Sequence, residues 1–377
     1  MVQNKAFVYK NVPDGWPEPG KDLAIESTDF DTDAAPPKNG FTTKNLYAAF
    51  DPSQRGRMRD PTIWSYSPAM VAGKPVEAVS VIGKILKSDN AGYKEGDLVL
   101  MWLAYIEAYS RIPEEDTMSY DDPNKKSPRA ANVFKPAEGV PLTAYLGALG
   151  MTGMTAYGSL HEIGRPKKGE TIWVSGAAGA VGQVVGQIAA REGLTVIGSV
   201  GDDKKLDYIT KELGFTSGFN YKKESPDDAL KRLAPNGIDI FYDNVGGEQL
   251  DAAFQHLNVH GRIGKLVTLF SKFIADVRIV ACGAISQYNN KAGDRYGVKN
   301  TGMMIRKRIR WQGFLVHDKE IAQHGKARNE NITKWIQEGS FKSTDHITDG
   351  MDNAVEGFLG MLKGDNLGKS ILKIADE

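Results

Sequence analysis

The sequence predicts an α/β protein in which a doubly wound parallel sheet is inserted into a β-rich, barrel-like unit. Three observations support this prediction. Residues 1–140 are rich in Pro and Gly and hold short apolar runs, which is typical of strands joined by turns. From Tyr145 onward, short apolar runs alternate with helix-spaced segments, the pattern of a parallel sheet with helices on both faces. Residues 340–377 have a mixed pattern and end in the apolar run Lys369–Ile374, so both ends of the chain are predicted to build one unit.

These changes in the pattern of apolar residues predict domain boundaries near residues 140 and 340. Residues 1–140 together with 340–377 are predicted to form one domain, and residues 141–339 the other. A chain of 377 residues suits two domains of ordinary size.

The composition excludes several classes of protein. Lys and Arg number 47 and Asp and Glu also 47, so no net charge attracts nucleic acid or an anionic membrane. One Cys rules out an intramolecular disulfide and a Cys-rich zinc site. The sequence shows neither a signal-peptide pattern nor a run of about 20 apolar residues. We therefore expect a soluble, cytoplasmic protein with no nucleic-acid or membrane partner.

In the β-rich unit, two apolar runs are predicted strands, Glu77–Ile85 and Asp97–Leu103, the second fed by a Gly-containing turn. The segment Arg111–Lys135 combines prolines with many charges and is predicted to be an exposed loop. Lys369–Ile374 is predicted to be a strand contributed by the C-terminus.

In the second domain, strands alternate with helices. Strands are predicted at Thr171–Ser175, Thr195–Val200, Ile238–Val245, Arg262–Val267 and Trp311–Val316. Helices are predicted from the glycine-rich turn through Glu192 and at Lys204–Leu213, Gly247–Leu257 and Ile321–Gln337. Strands and helices at this spacing form βαβ units.

The strongest local motif is Thr171–Gly182, TIWVSGAAGAVG, a buried strand followed by a glycine-rich turn that opens a helix. Gly179 would let the backbone approach a pyrophosphate, and Gly182 would allow close packing of helix and strand. Ala177 replaces the first glycine of G-x-G-x-x-G, so the motif is degenerate. In this context it still predicts a dinucleotide site, formed by Gly176, Ala178, Gly179, Ala180, Val181 and Gly182.

The residues that follow the predicted strand Thr195–Val200 help to decide whether the dinucleotide is NAD or NADP. Asp202 and Asp203 stand where an NAD site places the acid that binds the ribose hydroxyls. Lys204 and Lys205 follow at once, and a lysine there could pair with the 2′-phosphate of NADP. The residues alone leave both cofactors open, and they equally suit a solvated helix start with Asp as N-cap.

Metal and nucleophilic catalysis lack the residues they need. Residues 1–140 contain no Cys and no His, so catalytic zinc ligands are missing there. His256 and His260 lack the glutamate of H-E-x-x-H and are predicted to cap a helix end. No G-x-S-x-G elbow occurs. A basic cluster is predicted to be a solvated helix end rather than an anion contact: Arg306, Lys307, Arg308 and Arg310.

Several motifs together resemble the zinc-independent medium-chain reductases, in particular the prostaglandin/leukotriene reductases and the alkenal double-bond reductases. The resemblance runs from about residue 5 to 375 and is carried by GMTAY (153–157), SGAAGAVG (175–182), FNYK (219–222), YDNVGG (242–247), CGAISQYN (282–289) and GMLKGDNLGK (360–369). It implies a Rossmann domain inserted into a GroES-like β-barrel catalytic domain, NADP (NADPH) as cofactor, and usually a homodimer.

The resemblance also implies roles for particular residues. Lys205 and Tyr221 would contact the 2′-phosphate, which favours NADP over NAD. Asn244 and Asn366 would border the nicotinamide, as would Cys282 at the start of its segment. Met154 and Thr155 would lie on the turn that faces the cofactor, and Tyr288 would lie beside the nicotinamide ribose and the substrate carbonyl.

Members of this family reduce the C=C bond of α,β-unsaturated ketones and aldehydes, so the expected substrate is a small enone or enal. Either the Tyr288 hydroxyl or the ribose 2′-OH of the cofactor would then donate a hydrogen bond to the carbonyl oxygen, where negative charge develops. Two alternatives stay open at this point. The chain could be an NADPH quinone oxidoreductase, or a relative that binds the cofactor with little turnover.

One segment departs from the family. Asp51–Met58 reads DPSQRGRM where relatives commonly have D-P-Y-M-R-G-R-M, so Ser53 replaces an aromatic that walls the substrate pocket. Arg55 and Arg57 match, and we expect them to anchor the loop. Other aromatic residues are candidates to line the pocket instead: Trp64, Tyr66 and Trp102.

Overall fold

The computed structural model describes residues 1–117, 127, 129–259 and 277–377. The chain forms two compact units, one of Met1–Gly147 with Thr344–Glu377 and one of Ala148–Ser343. We refer to them as the terminal unit and the central unit. The α/β fold class predicted from the sequence is confirmed.

The described residues form the following strands: β1 Val2–Tyr9, β2 Leu23–Phe30, β3 Phe41–Ala49, β4 Lys74–Pro75, β5 Ser80–Ser88, β6 Leu98–Trp102, β7 Tyr109–Ile112, β8 Ala130–Val133, β9 Thr171–Ser175, β10 Thr195–Val200, β11 Ser217–Asn220, β12 Ile240–Asp243, β13 Arg278–Ala281, β14 Arg310–Gly313, β15 Asp345–Asp349 and β16 Lys369–Lys373.

The helices are α1 Ser53–Arg57, α2 Glu114–Thr117, α3 Met151–Ser159, α4 Ala180–Arg191, α5 Asp203–Glu212, α6 Pro226–Leu233, α7 Gly247–His256, α8 Met303–Lys307, α9 Lys319–Ala322, α10 Gly325–Gln337 and α11 Ala354–Lys363. None of these helices combines the length and the apolarity needed to span a lipid bilayer.

The terminal unit is mainly antiparallel. A three-stranded sheet has the order β2-β1-β4, and a larger sheet has the order β15-β16-β3-β5-β6-β8, with β7 also pairing with β3. β16 pairs antiparallel with β3, so the C-terminus adds a strand to a sheet built by the N-terminal segment. Three aromatic rings lie at the centre of its core, with centroids about 6 Å apart: Phe7, Phe50 and Phe358.

The described residues of the central unit form a six-stranded parallel sheet with the order β11-β10-β9-β12-β13-β14. Numbered from its first strand this order is 3-2-1-4-5-6, the doubly wound Rossmann topology. β10 and β11 are added on one side of β9, whereas β12 to β14 are added on the other, so the strand order reverses between β9 and β12. Ligands of such sheets bind beyond the carboxyl ends of the strands at this switch point. The fully buried Trp173 of β9 packs on Phe241 of β12, with ring centroids 4.3 Å apart.

Several predicted elements are confirmed with small shifts. Thr171–Ser175 and Thr195–Val200 are strands with the predicted bounds. The strand predicted at Ile238–Val245 is shorter, because the chain turns after Asp243. The helix predicted at Ile321–Gln337 is two helices, α9 and α10, separated at residues 323–324. The strand predicted at Arg262–Val267 lies outside the described residues.

Two predictions need larger corrections. The segment Arg111–Lys135 is not simply a loop, because it contains the end of β7, α2 and β8. β7 pairs with β3, and Pro113 follows its last residue, where a missing N–H does not interrupt the ladder. The strand predicted at Trp311–Val316 is β14, Arg310–Gly313, which ends earlier and forms the edge of the parallel sheet.

Candidate functional site

The glycine-rich turn follows β9 directly. Gly176 has φ +58°, a left-handed conformation that residues with a side chain rarely adopt. The Gly179 N–H donates to the Gly176 carbonyl at 2.9 Å, and the Ala177 N–H donates to the Ser199 carbonyl of β10 at 3.1 Å. The position that needs glycine is therefore Gly176. Ala177 is fully buried and fits without strain, which explains why the degenerate motif still forms the turn.

The turn leads into α4 with its amide groups exposed to a ligand. Gly179 precedes the helix in an extended conformation and offers no capping side chain. In any α-helix the first N–H groups have no acceptor within the helix, here those of Ala180, Val181 and Gly182. They lie at the positive end of the helix dipole, a suitable environment for phosphate. The turn and the first residues of α4 thus suit a pyrophosphate bound by backbone N–H groups.

Gly182→Ala is expected to lower the free energy of unfolding by about 1–3 kcal/mol. A Cβ at Gly182 would collide with the Gly176 carbonyl oxygen and lie 2.8 Å from the Ala177 Cα, both backbone atoms that cannot swing away. Chemical denaturation of the purified variant measures the loss.

Gly179→Ala is the matched control. Its φ of −80° suits alanine, and an added Cβ would lie 3.1 Å from the Gly176 carbonyl oxygen, a tighter contact than usual but no collision. We expect this variant to keep most of its stability and to lose cofactor affinity, because the methyl group fills the surface of the turn. Equal destabilisation of both variants would contradict this division of roles.

Lys205 and Tyr221 lie on the segments that follow two neighbouring strands, Lys205 after β10 and Tyr221 directly after β11. A Cβ built on Gly201 would lie 2.9 Å from the Tyr221 hydroxyl oxygen and 3.6 Å from the Lys222 Cε. The side chains of Tyr221 and Lys222 therefore lie over this glycine. Lys205 is in the first turn of α5, and its side chain is 13% exposed with Nζ 3.7 Å from Asp202 Oδ2. The result is a basic patch with a phenol beside it, which suits a phosphate monoester.

The two acids before Lys205 are engaged locally. Asp202 is the N-cap of α5 and accepts the Lys205 backbone N–H at 2.8 Å, so the predicted helix start is confirmed. Asp203 accepts from the Asn220 amide at 2.8 Å and pairs with Lys223. These hydrogen bonds hold the pKa of Asp203 below its usual value. The Asp203 carboxylate is therefore already paired and does not have to meet an incoming phosphate alone.

The carboxyl ends of β9 and β12 are bonded to each other at the switch point. Asn244 donates its side-chain amide to the Ser175 carbonyl at 2.7 Å and its backbone N–H to the Ser175 Oγ at 2.8 Å. The Ser175 hydroxyl is 3.2 Å from Asp243 Oδ1, which also accepts the N–H groups of Val245 and Gly246. Burial raises the pKa of Asp243 to about 6, although the hydrogen bonds from Gly246, Val245 and Ser175 lower it.

Tyr288 and Cys282 lie on one loop that follows β13. The Cys282 N–H donates to the Asp243 carbonyl at 3.0 Å, and the Tyr288 hydroxyl accepts the Ala284 N–H at 3.1 Å. A hydroxyl that accepts from a backbone N–H keeps its own hydrogen as a donor. The loop therefore holds a half-buried phenol close to the switch point, next to Asn244.

Met154 and Thr155 were predicted to lie on a turn, but both lie within helix α3. The Ser159 hydroxyl is 2.7 Å from the Tyr242 hydroxyl and donates to the Thr155 carbonyl at 2.7 Å, so α3 is bonded to β12. Burial raises the pKa of Tyr242 well above its ordinary value, and the neighbouring Cys282 thiol contributes in the same direction. The Met154 side chain is buried, with its sulfur near Gly325 of α10.

His161, which follows α3, should make folding stability pH-dependent. Its Nδ1 faces the Tyr157 carbonyl and its Nε2 faces Glu192 Oε1, both at 2.7 Å, so two acceptors require an imidazolium with two N–H donors. Burial by itself lowers the pKa of His161, but the hydrogen bonds to Glu192 and to the Tyr157 carbonyl outweigh it and leave the pKa raised.

Because the folded pKa of His161 is raised, its stabilisation is complete below the unfolded value of about 6.5 and is lost as pH rises through the folded value. We expect the free energy of unfolding of the wild type to exceed that of His161→Gln by about 1 kcal/mol at acidic pH. At alkaline pH the difference should be smaller. Denaturation across this pH range measures the difference. A gap between the two proteins that stays constant with pH would exclude the imidazolium.

Other predicted residues lie in the terminal unit. The Asn366 amide donates to the Gly368 carbonyl at 2.7 Å, and the Ser53 hydroxyl donates to Asp51 Oδ1 at 2.7 Å. Arg55 donates to the Gly15 carbonyl at 2.6 Å, and Arg57 donates to the Pro68 carbonyl at 3.0 Å and pairs with Glu77. Both arginines are buried and bind loop carbonyls, so they hold this loop in place.

The residues considered for metal binding or anion binding have local partners. His256 is the last residue of α7 and contacts Asp227 at 2.8 Å, while His260 lies outside the described residues. Lys307 was expected to be solvated, but it donates to the Gln255 and Leu257 carbonyls and caps α7. Within the described ranges, no group of three or more His, Cys, Asp or Glu side chains could hold a metal ion.

The sequence reasoning missed four residues of this site: Ser175, Tyr242, Asp243 and Lys222. All four stand inside the motifs SGAAGAVG, YDNVGG and FNYK, in which only neighbouring residues were assigned roles. The first three share one signal. Their signal was position, because residues at the carboxyl ends of β9 and β12 meet at the switch point. Lys222 follows Tyr221 in FNYK and could have been found from charge alone.

Comparison with known proteins identifies relatives along the whole chain. Residues 180–267 match the family described as zinc-binding dehydrogenase, and residues 5–120 match the N-terminal domain of oxidoreductase. The NADP-dependent oxidoreductase RED1 of Cochliobolus heterostrophus is 44% identical over 377 residues, covering 100% of this chain and 99% of that protein.

Two further relatives are informative. The NADP(+)-dependent 2-alkenal reductase of Nicotiana tabacum is 36% identical over 378 residues, covering 100% of this chain and 99% of that protein. The crystal structure of CurA from Vibrio vulnificus in complex with NADPH aligns with a TM-score of 0.80 at 28% identity. The alignment covers 99% of this chain and 100% of that chain.

Proposed function

Because the chain belongs to the zinc-independent medium-chain dehydrogenase/reductase superfamily, in its alkenal reductase branch, we propose that it reduces the C=C bond of α,β-unsaturated ketones and aldehydes. It is an enzyme, an oxidoreductase, and its cofactor is NADP(H). The expectation of an NADP-dependent reductase is thereby confirmed at this level. The bond reduced and the residues that act are proposals.

We propose that the cofactor binds the central unit at three places. The turn from Gly176 to Gly182 would bind the pyrophosphate through backbone amides. Lys205 and Tyr221 would bind the 2′-phosphate at the end of β10, with Lys222 nearby. Asn244, Cys282 and Tyr288 would border the nicotinamide, on segments bonded to one another beyond β12 and β13. Met154 and Thr155 would face the same side from α3.

NADPH, when bound, supplies the hydride that adds to the β-carbon of the substrate. Negative charge then develops on the substrate carbonyl oxygen, and the Tyr288 hydroxyl would donate a hydrogen bond to it. The Ala284 N–H fixes the position of the Tyr288 oxygen before the substrate arrives, so little reorganisation is needed. The α-carbon would take its proton from water or from a proton relayed by tyrosine.

The observation that carries this proposal is the placement of Tyr288 on a loop bonded to the switch point of a dinucleotide-binding sheet. The experiment is NADPH consumption with matched panels of enals, enones and quinones, followed by identification of the products. Turnover of enals and enones to the saturated carbonyl compounds supports the proposal. Turnover of quinones alone would identify a quinone oxidoreductase instead.

We assign substrate binding to the terminal unit and cofactor binding mainly to the central unit. In the terminal unit Ser53 is held by Asp51, and the Trp64 side chain is 89% exposed on a loop. Arg59 fixes that loop through the Gly56, Ile63 and Ser67 carbonyls. We propose that Trp64, Tyr66 and Trp102 provide the aromatic wall that Ser53 does not.

We also propose a homodimer that forms through β14. This strand is the edge of the parallel sheet, all four of its residues are exposed, and Trp311 is 40% exposed. Among the described residues no strand pairs with the outer side of β14, and an edge strand with an aromatic side chain can pair with a second copy. Sedimentation of the wild type and of Trp311→Lys tests this proposal. A monomeric wild type would contradict it.

A further inference from the structure

Asp243 shapes the turn that follows β12. Its side chain is 3% exposed, and Oδ1 accepts the N–H groups of Gly246 at 2.8 Å and Val245 at 3.1 Å. The Ser175 hydroxyl lies 3.2 Å from the same oxygen. Gly246 has φ +70°, a conformation open to glycine, so the turn is tight and is closed by this carboxylate.

The carbonyl groups of the same turn hold the loop that carries Tyr288. The Val245 carbonyl accepts the Ser286 hydroxyl at 2.6 Å and the Ser286 N–H at 3.2 Å. The Asn244 carbonyl accepts the Ile285 N–H at 3.3 Å, and the Asp243 carbonyl accepts from Cys282 and Gly283. Tyr288 follows Ser286 by two residues. One hydrogen-bonded turn therefore connects the Asp243 carboxylate with the position of the Tyr288 phenol.

We propose that Asp243 is a positioning residue, which fixes the 244–247 turn so that its carbonyls, through Ser286, set the place of the Tyr288 hydroxyl. This inference rests on the proposed role of Tyr288. An ionised carboxylate is the stronger acceptor for two backbone N–H groups, so the turn keeps one geometry. Asp243 itself need not touch substrate or cofactor.

The test is a double-mutant cycle on the full-length enzyme with saturating NADPH and an enone that the wild type reduces. Asp243→Asn keeps the shape of the side chain but replaces the charged acceptor with a neutral one. Ser286→Ala removes the hydroxyl at the other end of the connection, and it lies on the surface, so the protein should fold. Each is made alone and together with Tyr288→Phe. Asp251→Asn is the control, because Asp251 is another buried acid that accepts backbone N–H groups, those of Lys299 and Asn300.

We expect Asp243→Asn and Ser286→Ala each to lower kcat about 5- to 10-fold, and each to have an effect of under about 2-fold when Tyr288 is already Phe. Asp251→Asn should leave kcat close to that of the wild type. Full additivity with Tyr288→Phe would overturn the inference, since Asp243 would then act through another group such as Asn244. A Tyr288→Phe variant that is fully active would instead refute the proposed role of Tyr288.

Discussion

Replacing Tyr288 by Phe is expected to lower kcat for enone reduction by about 30- to 1000-fold, which corresponds to about 2–4 kcal/mol of lost transition-state stabilisation. In our proposal the phenol, which lies on the loop after β13, is the hydrogen-bond donor, and phenylalanine keeps the ring while removing the hydrogen bond. Affinity for NADPH should change little, because we propose that the cofactor is held mainly by the glycine turn and by Lys205. Single-turnover kinetics with saturating NADPH separate the chemical step from binding.

The matched control for this experiment is Tyr296→Phe. Tyr296 lies in the same region, and its hydroxyl also has a defined partner, Asp251 Oδ2 at 3.0 Å. Loss of that hydroxyl should cost some stability and leave kcat nearly unchanged. If Tyr288→Phe and Tyr296→Phe behaved alike, the Tyr288 hydroxyl would have no part in the reaction.

Replacing Lys205 by Ala is expected to weaken NADPH binding about 10- to 100-fold, the range of about 1.5–3 kcal/mol for a hydrogen bond to a charged group. NADH affinity should stay the same, because NADH has no 2′-phosphate for the lysine to bind. The cofactor preference of the enzyme therefore moves toward NADH. Fluorescence titration of both cofactors at fixed ionic strength measures the ratio.

Lys211→Ala removes the same charge from the same helix and serves as the control. Lys211 lies in the last turn of α5 and pairs with Asp207 at 3.0 Å, away from Gly201. Its removal should leave both cofactor affinities unchanged. If Lys205→Ala lost NADH affinity to the same extent as NADPH affinity, the lysine would support the fold of α5 rather than bind the 2′-phosphate.

Part of the fold was predictable because it depends on local periodicity. The runs at Thr171–Ser175 and Thr195–Val200 are apolar, and in the structure they are buried parallel strands with those bounds. By contrast β8 and the last two residues of β7 were predicted to lie in a loop. They are short and partly polar, and pairing with β3 and β6 makes them strands.

The candidate site divides in the same way. The motif SGAAGAVG predicts a tight turn before a helix, but the backbone had to show that Gly176 adopts the left-handed conformation while Ala177 is buried. The acids beside Lys205 left the cofactor undecided in the sequence. In the structure both are bonded within the protein, Asp202 as an N-cap and Asp203 with Asn220 and Lys223.

The fold class, the glycine-rich turn and the absence of Cys and His from the first 140 residues could be read from the sequence, because each depends on composition or on neighbouring residues. Only the tertiary structure brought Ser175 into contact with Asp243 and Asn244, and Tyr221 over Gly201. These residues stand about 20 to 70 positions apart, and strand order decides which of them meet. Periodicity records which face of an element is buried, whereas the partners across a sheet follow from the topology of the folded chain.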